Sequence, residues 1–346
     1  MVDGGSVTTL LFDYDPILYA AGSRGEKRSI KVVHNQSGDE YEFDTRTKFF
    51  GHWKTKSGGW LAEYNQGRDS PRTADEFTII DIQTPEPIEN CLHVVKRMIT
   101  STVEALGTNT YYGYSGKGKV FREDVSTILQ YKGNRNGALR PVHLDDLKEY
   151  LCKWHACEIV QNIEADDQCS IDSTAAWKKW NKTKNDKDKL YLAFVDKDYL
   201  QTAGHLFNTN TLDPVCSYDG FGWLKLNDKG DVKGRGRLWL YHQVMSQDDS
   251  DNYAANSAST MKWGEKSSYK LLKDCKTDKE AFEALVTGYK KLYPSKKIIT
   301  GWRGDEIEVD WLYVLQENFN LAKMLRTPDE KLTDIQQVLN NLQIEY

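Results

Sequence analysis

The sequence predicts an α/β fold with a doubly wound, mostly parallel central sheet, and three observations lead there. Continuous apolar runs at Thr8–Phe12, Glu158–Ile163 and Leu190–Val195 have the length of strands buried on both faces. Helical patterns over Pro141–Trp154 and Asp166–Trp180 lie between them, the alternation expected of a sheet covered by helices. Each run also stops at acids: Asp13 and Asp15, then Glu164-Ala165-Asp166-Asp167, then Asp196-Lys197-Asp198. In open parallel sheets, sites form outside the carboxyl ends of the strands, so the repeated acids are a functional clue.

The stretch from about Arg24 to Gln83 differs, with a Ser57-Gly58-Gly59 turn, many aromatics and alternating polar residues. It reads as a β-hairpin-rich insertion. After Leu238 the pattern is mostly helical. The expected organisation is an α/β core over residues 1–245, with the insertion at about 24–83 and an arch at about 116–140, followed by a helical region over 246–346.

With 346 residues, 39% hydrophobic, the chain is long enough for one large α/β domain or two modest ones. A net charge of −5 argues against a protein that coats nucleic acid. The distribution says more: residues 116–140 carry six basic side chains (Lys117, Lys119, Arg122, Lys132, Arg135 and Arg140) against only Glu123 and Asp124. That patch suits a phosphate-bearing ligand, with a solvated basic loop as the alternative. A second basic run, Lys225–Arg237, reads as a surface hairpin.

None of the six cysteines forms a C-x-x-C pair, and Cys152, His155 and Cys157 lack a fourth ligand. They read as buried thiols of a reducing compartment. The first apolar run is far below the ~20 residues a membrane-spanning helix needs, so a soluble, cytoplasmic protein is expected.

Eight carboxylates stand out: Asp13, Glu164, Asp166, Asp167, Asp196, Asp198, Asp248 and Asp251. Asp248 and Asp251, three apart, would share a face of a helical turn. Singly, each group has a plain alternative: a helix cap, a solvated turn or a polar loop. Gathered together they would repel unless neutralised, and hard divalent cations such as Mg²⁺ or Mn²⁺ do that with oxygen ligands. Two such ions ~4 Å apart suit in-line phosphoryl displacement.

Taken in order, LLFDYDPILYAAG (10–22), KVFRED (119–124), YKGNR (131–135), EADDQ (164–168), DKDYLQ (196–201) and DDSDN (248–252) resemble the motifs of the 5′ nuclease superfamily, the flap endonucleases and phage-type 5′–3′ exonucleases. The resemblance covers residues 10 to about 272, apart from the insertion. It implies that the eight acids are metal ligands or their supports, with Asp196 essential to catalysis. It places Lys132 and Arg135 on a helical arch at the scissile phosphate, Tyr131 stacked on a terminal base and Arg122 on phosphate at the sheet edge. Lys117, Lys119 and Lys266 would also contact DNA, and the segment after Asn252 would form a helix–hairpin–helix element. The substrate implied is DNA with 5′ ends or branches, in replication or recombination. RNA–DNA hybrid is a close variant for RNA-primer removal.

The sequence departs from the family in three places. Where an acid usually follows the strand before the FR motif, here Asn109–Tyr114, this chain has Ser115, and Asp124 is a nearby candidate replacement. The Gly-rich loop after the DN pair reads YAANSASTMKWGEKSS. The insertion, with Phe49, Phe50, His52, Trp53, Lys54, Lys56 and Trp60, has no counterpart. Its aromatics suit either stacking on single-stranded bases or a small core. Two other classes compete with the nuclease: a non-catalytic branched-DNA-binding protein, and an endoribonuclease on a related core.

Overall fold

The computed structural model describes residues 8–52, 55, 57–217, 220–330 and 332–346; Trp53, Lys54 and Lys56 lie outside them. In chain order the first half holds β1 (Thr9–Asp13), α1 (Asp15–Gly22), β2 (Glu26–His34), β3 (Glu40–Phe43), α2 (Arg46–Phe50), α3 (Trp60–Tyr64), β4 (Phe77–Pro85), α4 (Ile88–Leu106), β5 (Thr110–Val120), α5 (Phe121–Val125), α6 (Leu144–Trp154), β6 (Cys157–Asn162) and α7 (Ala165–Thr183). Then come β7 (Leu190–Phe194), β8 (Gly204–Asn208), β9 (Asp213–Ser217), β10 (Trp223–Leu226), β11 (Val232–Arg235) and α8 (Arg237–Met245). The last part holds β12 (Gln247–Asp248), β13 (Tyr253–Ala254), α9 (Glu265–Leu272), α10 (Asp278–Leu292), β14 (Lys297–Thr300), β15 (Glu306–Val309), α11 (Trp311–Ala322) and α12 (Ile335–Asn341).

The chain divides into two compact units: Met1–Pro16, Ile99–Gly137 and Tyr150–Tyr346, and Ile17–Met98 with Ala138–Glu149. The first contains a six-stranded sheet in the order β6-β5-β1-β7-β8-β9, parallel except for β9. The expected α/β class is therefore present. β1 is central because its run is apolar throughout: Leu10 and Leu11 are fully buried, each worth about 1.5–3 kcal/mol of transfer free energy. Leu11 pairs with Tyr112 on one side and Leu192 on the other, and α7 covers this face with Ala165 and Cys169. Register delivers strand ends together: Asp13 lies opposite Tyr114, and Phe12 opposite Ala193.

The helices after β11 share one core. Leu238, Val244, Leu272, Leu285, Val314 and Leu315 belong to a single buried cluster. No compact-unit boundary falls at 245/246, because α8 packs on α9, α10 and α11. The expected hairpin at Lys225–Arg237 is β10 and β11. Asp248 and Asp251 lie on the β12–β13 hairpin and not on a helical turn.

The arch differs most from expectation. Among residues 116–140 the only α-helix is α5, and Gly133–Arg135 is one 3-10 turn. Lys132 and Gly137 take positive φ (54° and 77°), and Asn134 and Asn136 lie between them, a composition that disfavours helix.

The second unit is built on an antiparallel sheet, β3-β2-β4. Ile30, Val32, Phe49 and Phe77 form its core, with Phe50 and Trp60 packed against them. The insertion's described aromatics thus serve a core. No helix among the described residues is long and apolar enough to cross a membrane.

Candidate metal centre

β1 ends on Asp13. Its Oδ1 accepts the Asp15 N–H (3.1 Å) and its Oδ2 the Tyr199 hydroxyl (3.1 Å). Burial, then the Asp15 carboxylate, push Asp13 up to about 7, and Asp196 adds to the push. Asp15 opens α1, and its Oδ1 accepts the Ser115 hydroxyl (2.6 Å) while Oδ2 accepts the Gly116 N–H (3.2 Å).

The loop after β6 brings Glu164 to the N-cap of α7, with Asp166 and Asp167 in its first turn. One oxygen from each of these three acids lies within 4.8 Å of the others. Their environments differ sharply. Glu164 accepts from Arg122 Nη1 (2.9 Å), the Tyr131 hydroxyl (2.8 Å) and Lys132 Nζ. Burial pushes its carboxyl up, but Lys132 and Arg122 bring it below the usual range. Asp167 is fully buried and pairs with Arg122 through both oxygens. Asp166 has no hydrogen-bond or ion-pair partner among the described residues, and burial together with Glu164 and Asp167 holds it well above the usual carboxylate range.

After β7, Asp196 caps a 3-10 turn (Lys197–Gln201) by accepting the Asp198 N–H at 3.0 Å. Asp198 accepts from Gln243, and burial and Asp196 raise it to about 8. On the β12–β13 hairpin, Asp248 Oδ1 accepts the N–H groups of Ser250 (2.8 Å) and Asp251 (3.2 Å), and its Oδ2 pairs with Lys197 (2.9 Å). Asp251 faces Tyr131 (3.2 Å), Lys132 (3.6 Å) and Arg135 (3.6 Å). Burial raises its carboxyl while Lys132 opposes the shift.

These contacts link the four acidic segments. Tyr131 and Lys132 join Glu164 to Asp251, while the fields of Asp196, Asp248 and Asp251 all bear on Asp198. The donors are carboxylate oxygens, the set hard divalent cations take. An unpartnered Asp166 beside raised Asp13 and Asp198 is the state such ions relieve. The donor chemistry fits Mg²⁺ or Mn²⁺; among the described residues the one group of three acids within 4.8 Å of one another is Glu164, Asp166 and Asp167.

Several expected roles change. Arg122 is 3% exposed and its donors go to Asp167, Glu164 and the Leu321 and Lys323 carbonyls, so it is not a phosphate contact at the sheet edge. Asp167 is correspondingly committed to Arg122. Tyr131 is 4% exposed, so its ring is not offered to a base; its hydroxyl holds two acids instead. Arg135 remains half exposed, with Nε on the Ser250 carbonyl (3.1 Å). Lys117 and Lys266 are exposed, as is Lys119, which pairs with Asp124. Cys152 is exposed and not buried, and His155 is hydrogen-bonded to Tyr111 (3.0 Å). Sequence reasoning missed Asp15, Tyr199 and Gln243; only Asp15, two residues past Asp13 at a helix start, carried a visible signal.

No model of a known protein family matches the chain, and no curated protein matches its sequence.

Proposed function

We propose that the chain is a divalent-metal-dependent 5′ nuclease that hydrolyses phosphodiester bonds at 5′ ends or 5′ flaps of DNA. The observation that carries the reading is the linkage of acids from four separate segments, Asp13, Glu164 with Asp166, Asp196 with Asp198, and Asp248 with Asp251. So many carboxylates in partial burial are costly to a fold and useful to a cation site. Bound there, Mg²⁺ or Mn²⁺ supplies Lewis acidity and charge neutralisation to a phosphodiester.

The chain's own groups contribute the rest. Lys132 is held by Glu164 and Asp251, which raise its pKa against the effect of burial, so it is a fixed positive charge beside the acids. Arg135, half exposed and anchored on Ser250, can turn a guanidinium edge to a phosphate. Exposed Lys117, Lys119 and Lys266 supply the weaker, salt-sensitive attraction to a nucleic-acid backbone.

The test is Asp196→Asn, assayed on 5′-flapped and recessed duplex DNA and on an RNA–DNA hybrid. Cleavage should fall by several kcal/mol of barrier, roughly 10²–10³-fold, with DNA binding retained. Cleavage at the wild-type rate refutes the assignment. Binding of branched DNA by the wild-type chain, with no cutting in Mg²⁺ or Mn²⁺, establishes a binding protein instead.

A further inference from the structure

We infer that Asp15 is a ligand of the divalent cation site at the end of β1 and the middle of β5, supplying the carboxylate that Ser115 does not; the inference rests on reading the acidic cluster as a metal centre.

Ser115 is fully buried and its hydroxyl donates to Asp15 Oδ1 at 2.6 Å. The next backbone N–H, that of Gly116, donates to Oδ2 at 3.2 Å. The part of β5 just past its pairing with β1 thus grips both oxygens of one carboxylate that belongs to the segment after β1. A carboxylate has about four acceptor directions, so two hydrogen bonds leave each oxygen free to bind a cation. Ligand carboxylates are commonly oriented by such bonds.

The grip also sets direction. Gly116 has no side chain, and a Cβ built there would lie 3.3 Å from Asp15 Oδ2 and 3.7 Å from the Ala165 nitrogen. The side-chain-free face of Gly116 therefore lies within contact distance of both the Asp15 carboxylate and the first residue of α7, the helix that Glu164 caps and Asp166 enters. On the other side the Asp15 N–H bonds Asp13 Oδ1 at 3.1 Å, which fixes the two acids together. Asp124, the other candidate to replace an acid at position 115, is 68% exposed and paired with Lys119. It is committed to the surface.

The experiment is calorimetric titration of Mn²⁺ into the full chain without DNA, together with electron paramagnetic resonance of the bound ion. Three proteins are compared: wild type, Asp15→Asn and Ser115→Ala. Asp15→Asn should lose one binding event or weaken it at least roughly tenfold, and Ser115→Ala, which keeps the acid and removes its orienting hydroxyl, should weaken binding on the order of tenfold with the number of ions unchanged. Thermal melting in EDTA checks that each variant folds; if Asp15→Asn does not, Ser115→Ala decides. Wild-type Mn²⁺ stoichiometry and affinity in a folded Asp15→Asn protein, or unaltered affinity in Ser115→Ala, overturns the assignment of Asp15 alone. A wild-type chain that binds no Mn²⁺ at millimolar concentration overturns the metal centre and Asp15 with it.

Discussion

Arg122 and Asp167 form a two-pronged ion pair, Nη1–Oδ2 2.5 Å and Nη2–Oδ1 2.9 Å, with both side chains buried. The Leu325 N–H adds a third donor to Asp167 at 3.0 Å, and the Leu321 and Lys323 carbonyls take further Arg122 donors. The pair therefore ties the first turn of α7 to the chain leaving α11. Removing one partner strands a buried charge, which costs about 3–5 kcal/mol. Arg122→Met and Asp167→Asn should each lower the unfolding free energy by that amount in a urea titration. Asp167→Asn should leave the number of bound Mn²⁺ ions unchanged. A loss below about 1 kcal/mol, as for a surface pair, would contradict the burial.

The metal-free protein should lose stability as pH rises. Burial and neighbouring acids raise Asp13 to about 7 and Asp198 to about 8. Unfolded, both titrate near ~3.9. Above that value the unfolded chain has released protons that the native chain still holds, so the unfolding free energy falls with pH until the native groups ionise. In EDTA the melting temperature should therefore decline between about pH 5 and 8. Saturating Mg²⁺ should flatten the decline, because the cation replaces those protons. A melting temperature that climbs over this range in EDTA would show that the acids are not pressed together.

Tyr131 separates two roles by one atom. Its hydroxyl reaches Glu164 (2.8 Å) and Asp251 (3.2 Å), while its ring is buried with Ile128 and Val244 in the helical core. A base-stacking Tyr would tolerate Phe. Here Tyr131→Phe removes the donor that joins two acids, and should slow cleavage and weaken Mn²⁺ binding with DNA affinity unchanged. Loss of the hydrogen bonds should also cost about 1–3 kcal/mol of stability. Wild-type cleavage by Tyr131→Phe would place the hydroxyl outside the working site.

The sheet was legible because burial on both faces leaves an unbroken apolar run; Leu10, Leu11 and Phe12 announce β1, and the acid that stops the run marks the strand end. The arch was not, because motif order carries no backbone angles. Only the positive φ of Lys132 and Gly137 shows why 126–137 holds no more than one 3-10 turn. Arg122 was misread for a different reason. A basic residue in a basic run looks solvated, and the acids that bury it, Glu164 and Asp167, lie more than forty positions away. Asp15 was visible as an acid ending the first run but not as a site residue, because its partner, Ser115, is 100 residues distant and only the parallel β1–β5 pairing brings them together.

Glu26, in the second unit, tests the opposite pH sign. Its buried side chain accepts from the Val142 N–H (2.8 Å), from Gln83 Nε2 (3.2 and 3.3 Å) and from Arg28. Burial alone would raise the carboxyl, but these donors outweigh it and hold the group below its usual value. A depressed native value means stability that is complete above the unfolded value of ~4.3 and lost as pH falls through the native one. Glu26→Gln puts an amide N–H₂ among donors and leaves at least one unpaired. It should cost about 1–3 kcal/mol at neutral pH and should flatten the acid limb of the stability profile. Mg²⁺ should not rescue it, since all four residues lie in the unit that holds none of the acidic cluster. Acid unfolding of Glu26→Gln that superimposes on wild type would show that the carboxylate is not held by these donors.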